Sequence, residues 1–343
     1  MAAQPLPGQI RAVSIGGGTG QPNAIRALHN AGCFVTAVVA MADDGGSTGV
    51  IRQEMGIIPP GDIRKCLVAM AAEPKGPLAR AFEHRFSFAD NHALGNLLLA
   101  SLAAETGSFG EAVELCGEML GCHGRVCPST MENVVLCGRS RDGMEFRGEA
   151  TLGSGPCALS EVWLSPREPH ANGPAVRAIL EADVVVLGPG SLFTSVIPNI
   201  LVPGIRDALR ATSATKVYVC SMADMQGETW GLAAEEYVDA LLHHGMEGCL
   251  DVVLLHRPSA SGTGLATRHF NAVTLEGADH SAQDSGYLRP VPLGEDAIRR
   301  LEARVPLVIV RDFSDPVHPT WHDLGKLELA LRGVIDSCRS QQR

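Results

Sequence analysis

Four times in this chain an apolar run rich in β-branched residues stops abruptly at a glycine-bearing or polar turn. That repeat restricts the fold more than any other feature. Ile10 to Ile15 leads into Gly16-Gly17-Gly18-Thr19-Gly20, and Phe34 to Ala40 into Met41-Ala-Asp43-Asp44-Gly45-Gly46-Ser47-Thr-Gly49. Ala182 to Leu187 leads into Gly188-Pro189-Gly190-Ser191-Leu-Phe-Thr194, and Lys216 to Ser221 into a polar stretch ending at Thr229. Runs that are apolar at successive positions suit strands buried on both faces, as in a parallel sheet covered by helices. A helix from about Pro22 to Asn30, opened by proline and stopped near Gly32, completes a strand, turn, helix, strand unit. The expected class is α/β, with a Rossmann-like, doubly wound, mainly parallel sheet. Ligands of such sheets bind beyond the carboxyl ends of the strands, where strand order reverses. The four turns should therefore meet at one site.

Each turn also reads as an ordinary solvated loop, since Asp-Gly and Gly-Ser are common turn dipeptides. Their recurrence after buried strands favours a ligand. Backbone amides of Gly17, Gly18, Thr19 and Gly20 could cradle a phosphate at a helix N-terminus. The dinucleotide fingerprint is imperfect, however. Counted from Gly16, Gln21 replaces its last glycine; counted from Gly18, Asn23 does. Asp43 and Asp44, with Gly45, Gly46 and Ser47 behind them, stand where a ribose or sugar hydroxyl would be read, and hard carboxylate oxygens also suit Mg²⁺. They are the candidates for any catalytic role. Asp62 reads most simply as the N-cap of a helix from about Ile63 to Ala72. Arg64, in the first turn of that helix, opposes the helix dipole, so a ligand phosphate or Asp43/Asp44 would explain it. Asn96, beside Gly95 in an apolar helix from His92 to Ala104, is either a ligand contact or a packed, internally bonded amide. His92 alone is better read as structural. Gly188, Pro189, Gly190, Ser191 and Thr194 offer rigid amides and hydroxyls together.

From about Arg125 to residue 165 the pattern changes to short alternating strands, an antiparallel insertion able to cover a pocket. Pro258 to Pro292 is weakly patterned and reads as loop; Leu307 to Val310 reads as a last strand and His322 to Leu331 as a closing helix. Residues 9–334 are expected to form one domain, with tails at 1–8 and 335–343.

Composition excludes several partners. A net charge of −10 and 4% aromatic residues speak against nucleic acid, which needs a basic face and stacking platforms. No apolar run reaches membrane-spanning length and the start lacks a signal peptide's pattern, so a cytoplasmic protein is expected. The ten cysteines lie mostly within apolar runs and never as C-x-x-C, which suits buried small hydrophobes in a reducing compartment. Cys122-His123 with Cys127 is a weaker metal reading, lacking a second ligand pair.

Taken in order, Gly-Gly-Gly-Thr-Gly at 16–20, Ala-Asp-Asp-Gly-Gly-Ser-Thr-Gly at 42–49, Pro-Pro-Gly-Asp-Ile-Arg at 59–64, Leu-Gly-Asn-Leu at 94–97 and Leu-Gly-Pro-Gly-Ser-Leu-Phe-Thr-Ser at 187–195 resemble the bacterial gluconeogenesis-factor family. That family is related to the 2-phospho-L-lactate transferases. The resemblance implies a UDP-N-acetylglucosamine-type ligand, a homodimer, and a role linking carbon metabolism to cell-wall synthesis and cell shape, with a cell-wall-synthesis regulator or enzyme as partner. The chain departs from the family pattern at Val50, where arginine is usual, at Lys65 and Asn91, and at Ser221-Met222-Ala223-Asp224. Two functions follow. One is a regulatory binding protein; the other is a Mg²⁺-dependent transferase using a nucleoside-diphosphate-linked donor. The absence of a nucleophile beside an evident base favours binding.

Overall fold

The computed structural model describes residues 3–152, 157–258, 268–271, 285–318 and 320–341. Its centre is a seven-stranded, all-parallel sheet built from β1 (Arg11–Gly16), β2 (Phe34–Val39), β3 (Arg125–Pro128), β4 (Val184–Leu187), β5 (Thr215–Val219), β6 (Val252–His256) and β7 (Leu307–Arg311). The spatial order is β7-β6-β5-β4-β1-β2-β3. Chain order thus reverses between β1 and β4, where Ala12 pairs with Val184 and Ile15 with Leu187 on one side of β1, and Arg11 pairs with Phe34 on the other. Every residue of β2 and β4 is buried. That is why these strands read as unbroken apolar runs instead of alternating ones.

Helices cover the sheet: α1 (Gln21–Asn30), α2 (Gly46–Met55), α3 (Gly61–Met70), α4 (Leu94–Thr106), α5 (Pro203–Ala211), α6 (Ala234–Leu241) and α7 (Leu324–Gln341) among them. One core cluster runs from Ile10 to Cys338 and joins β1, β2 and β4–β6 to helices on both sides. Among the described residues no helix is long and apolar enough to cross a membrane.

Several expectations from sequence need correction. Arg125–Pro128 is an edge strand of the main sheet, paired in parallel with β2; the antiparallel insertion proper comprises Val135–Ser140, Glu145–Arg147 and Leu159–Ser165. The four-residue run Arg-Val-Cys-Pro is too short for its period to be decided alone. Within 258–292, Arg268–Asn271 and Ser285–Pro290 are strands, the latter pairing with Ala223–Met225; the rest of that reading lies outside the described residues. The helix expected from His92 starts at Leu94, because His92 and Ala93 pair with Phe86 and Arg85. The closing helix continues to Gln341, and residues 335–341, read as tail, are its last turns, with Ile335 buried.

Candidate functional site

The glycine turn after β1 is pressed between two other turns. A Cβ on Gly20 would come within 2.5 Å of the Pro189 carbonyl oxygen, and one on Gly190 within 3.4 Å of the Gly17 carbonyl oxygen. A Cβ on Gly17 would lie 2.8 Å from Asp62 Oδ2. Little space is left at Gly17 and Gly20 for any side chain, so these glycines serve close approach at least as much as ligand access. Gly18, at φ +66°, donates its N–H to Asp62 Oδ2 at 2.5 Å. Asp62 is therefore not the N-cap of α3. That position falls to Pro60, and the Asp62 carboxylate sits in the first turn, bonded to Gly18 and to Lys65 Nζ at 3.0 Å. Burial alone would raise its pKa, but Lys65 and the Gly18 amide hold it below the ordinary carboxylate value. Thr19 is exposed at the tip of the turn.

Gln21, the residue that breaks the dinucleotide fingerprint, is fully buried. Its amide donates to the carbonyls of Ser14 and Val38 at 2.9 and 3.0 Å and accepts from Cys66 Sγ at 3.4 Å, stapling β1 to β2 and α3. A glycine there could make none of these bonds.

The two adjacent aspartates part company. Asp43 Oδ1 accepts from Gly45 N at 2.9 Å and shares a hydrogen bond with Glu149 of the insertion. Burial first, then the neighbouring Asp62 charge, pushes the Asp43 carboxyl up to about 6. Glu149 is raised further, by burial and by Asp43, so it is the proton donor of the pair. Asp44 instead turns to the insertion: its Oδ1 accepts from Ala150 N at 2.9 Å, and a Cβ on Gly148 (φ +99°) would meet its Oδ2 at 2.6 Å. Gly45 is the N-cap of α2, and Gly46 and Ser47 open that helix. Arg52 of α2 is buried and donates to Asn133 Oδ1 from Nε at 2.8 Å and to the Asp43 and Val134 carbonyls, tying the acidic turn to the start of the insertion.

Arg64 is buried and donates to Asn96 Oδ1 at 3.1 Å, a partner that its sequence position did not suggest. Gly95 makes room for it: a Cβ there would fall 2.8 Å from both Arg64 Cγ and Phe82 Cδ1. Asn96 Nδ2 and Thr48 Oγ1 are buried without a hydrogen-bond partner. Across the reversal point, Ser191 Oγ donates to Glu228 Oε2 at 2.7 Å, and Phe193 N donates to Glu228 Oε1 at 2.9 Å. Burial raises the Glu228 carboxyl, an effect partly offset by Ser191 and the amides of Phe193 and Thr194. Asn199 ties this turn to β1 through Gly16 O at 3.0 Å, and its Oδ1 is a further orphaned buried atom.

The structure thus brings Gly17, Gly18, Gly20, Asp43, Asp62 and Gly190 into one cluster, with Arg64 and Asn96 packed behind it. Asp44 lies on the insertion side, Ser191 and Thr194 face Glu228, and Gly188 packs against the Val219 carbonyl at the end of β5. The residues that reading missed, Gln21, Arg52, Glu149 and Glu228, are single polar side chains in otherwise apolar or loop sequence. Nothing but their burial marks them.

The donor set bears on magnesium. Asp43 and Asp62 set two carboxylates against Lys65, which suits a hard cation, but Glu149 holds the proton it shares with Asp43, and amides of Gly45 and Gly18 already engage the carboxylate oxygens. Among the described residues no three His, Cys, Asp or Glu side chains are placed to hold one ion, either here or at Cys122, His123 and Cys127. The structure therefore lacks a ready-made Mg²⁺ cage at Asp43 and Asp44. Burial pushes the Cys122 thiol up to about 12, consistent with an inert small hydrophobe. A cleft of ≈ 820 Å³, reaching Phe193 of the turn after β4, opens beside Arg141, Glu236, Asp239 and Arg304. Its charges are already closed by Arg141–Glu236 and Arg304–Asp239 ion pairs, so the strand-end cluster, with its orphaned polar atoms, is the better candidate site.

Glycine turns and carboxylates thus gather at the reversal point of a doubly wound α/β sheet, the place where ligands of such folds bind. The family profile described as 2-phospho-L-lactate transferase CofD matches residues 12–288, and the chain belongs to the CofD family. Within it, the chain is similar to gluconeogenesis factors. It is 39% identical over 254 residues to the one from Halalkalibacterium halodurans (73% of this chain, 79% of that one). To a putative gluconeogenesis factor of a Nostoc species it is 37% identical over 323 residues (93% and 67%). A crystal structure of a Bacillus halodurans protein superposes with a TM-score of 0.81 at 33% identity, covering 94% of this chain and 99% of that one.

Proposed function

We propose that the chain is a regulatory protein that binds a sugar nucleotide of the UDP-N-acetylglucosamine type at this strand-end cluster and links carbon metabolism to cell-wall synthesis and cell shape. One observation carries the reading: turns following β1, β2 and β4 and the start of α3 pack directly against one another, although Gly17 and Gly190 are 173 residues apart in sequence. Amides of the 16–20 turn would face the diphosphate, Asp43 a sugar hydroxyl, and the buried Arg64 would add positive potential. A thermal-shift panel tests it. UDP-N-acetylglucosamine should raise the melting temperature while GDP and NAD leave it unchanged, and Asp43→Ala should abolish the shift. An equal shift in that variant removes Asp43 from the site.

A second reading, transfer of a phosphorus-containing group, is favoured by the adjoining Asp43 and Asp62 carboxylates, whose charge a divalent cation would offset. A larger shift with GDP, accompanied by nucleotide turnover in Mg²⁺, would decide for it.

A further inference from the structure

A groove of ≈ 450 Å³ lies apart from the four turns, between the insertion strand Leu159–Ser165 and α5. Its walls include Trp163, Arg167, Arg206, Arg210, His243 and Gly245. In a chain of net charge −10 this concentration of arginine needs a cause.

Arg206 sits one turn into α5, a nine-residue helix that starts at Pro203. A cation there opposes the helix dipole, and Arg210, four residues on, repels it as a like charge on the same face. Neither is neutralised. The carboxylate within reach of Arg206 among the described residues is its exposed chain neighbour Asp207 at 3.8 Å, beyond hydrogen-bonding distance. Arg206 Nε is buried without a hydrogen-bond partner. For Arg210 the bond present is from Nε to the Gly245 carbonyl, at 3.1 Å. Gly245 nonetheless positions both side chains, through its carbonyl for Arg210 and by close approach for the Arg206 stem. Gly245 has φ +121°, and a Cβ there would lie 2.6 Å from Arg206 Cδ, so the arginine stem lies flat over a position that only glycine fits.

The opposite wall is Trp163, with the Arg139 and Arg167 guanidiniums 5.8 and 5.2 Å from its ring centroid. Arg139 is occupied by Glu145 at 2.7 Å and Glu161 at 3.6 Å, whereas Arg167 meets no carboxylate within 4 Å among the described residues. Glu161 and Glu168 also line the groove, against the three arginines Arg167, Arg206 and Arg210. His244 takes no part in ligand binding: its Nε2 accepts from Val162 N at 3.2 Å, so it is neutral and donates from Nδ1 to the Ala240 carbonyl.

We propose that this groove is a second ligand site, which takes the phosphoryl group of a small phosphorylated molecule on Arg206 and Arg210, with its body against Trp163. Each guanidinium presents its N–H donors in a planar fork suited to phosphate oxygens, and among the described residues neither has a carboxylate within hydrogen-bonding distance. The volume suits a small molecule more than a segment of protein.

The test is tryptophan fluorescence of the full chain titrated with phenyl phosphate and with inorganic phosphate, at ionic strength matched by chloride. Phenyl phosphate should give a saturable change with a midpoint of about 1 mM or below, weaker for inorganic phosphate. Trp163→Phe should remove the signal while the ligand still raises the melting temperature. Arg206→Gln with Arg210→Gln should weaken binding at least about tenfold, and should melt no lower than the native chain without ligand because the repulsion is relieved. Asp43→Ala should titrate like the native chain, which separates this site from the strand-end cluster. Lack of saturation, or unchanged binding in the double arginine variant, overturns the proposal whatever the sugar-nucleotide panel shows.

Discussion

Gln21 and His322 show how much single buried polar side chains do in this molecule. Gln21 takes the place of a fingerprint glycine and uses its amide to join β1, β2 and α3. Gln21→Gly, which restores the fingerprint spacing, should therefore cost roughly 2–4 kcal/mol by stranding two buried carbonyls and opening a void. It should not create NAD affinity. A urea midpoint equal to the native one would show that the staple is idle. His322, fully enclosed, donates from Nε2 to the Cys220 carbonyl at 3.1 Å, and burial lowers its imidazole to about 4. Between that value and the ordinary 6.5 the unfolded chain takes up a proton that the folded chain refuses. Stability contributed by this group is thus present above about 6.5 and is lost as pH falls towards 4, by up to about 3 kcal/mol. His322→Gln should lose less stability than the native chain between pH 7 and 4.5 in urea unfolding. Parallel losses would contradict the assignment.

At the scale of elements, what was legible in sequence follows from burial. β2 and β4 are enclosed on both faces, so their apolar runs announced them, and the glycine-turn, helix sequence after β1 announced the winding. Less was legible where tertiary contacts override local pattern. Arg125–Pro128 joins the sheet because β2 offers it an edge, and Ser285–Pro290 is a strand because Ala223–Met225 pairs with it. The candidate turns were found from their glycines, but their partners were not: Asp62 looked like a helix cap, whereas its carboxylate reaches 44 residues back to Gly18. Gly95 in α4 was flagged as a costly residue in a buried helix, and the structure supplies the reason in the Arg64 and Phe82 side chains 2.8 Å from its missing Cβ. Gly95→Ala should accordingly destabilise by about 1–3 kcal/mol despite alanine's better helix propensity. A gain in thermal stability would mean that Arg64 can move aside at little cost.

For the whole molecule, the reversal point between β1 and β4 matters because it places turns from both halves of the sheet around one space. The half that contributes β1–β3 brings Gly16–Gly20, Asp43 and the start of α3. The half that contributes β4–β7 brings Gly188–Thr194 and Glu228. A ligand seated there must bind both halves at once, and one confined to a single loop would not. Binding at a free concentration one hundred times Kd adds about 2.7 kcal/mol of stability. For a chain of 343 residues this corresponds to a melting shift of roughly 4 °C. Hydrogen exchange with and without UDP-N-acetylglucosamine resolves where that stability goes. Slower exchange should appear together in residues 16–20, 43–49, 61–64 and 188–195, with α7 little changed. Protection limited to one of these segments, at saturating ligand, would mean that the turns adjoin one another without forming a common pocket.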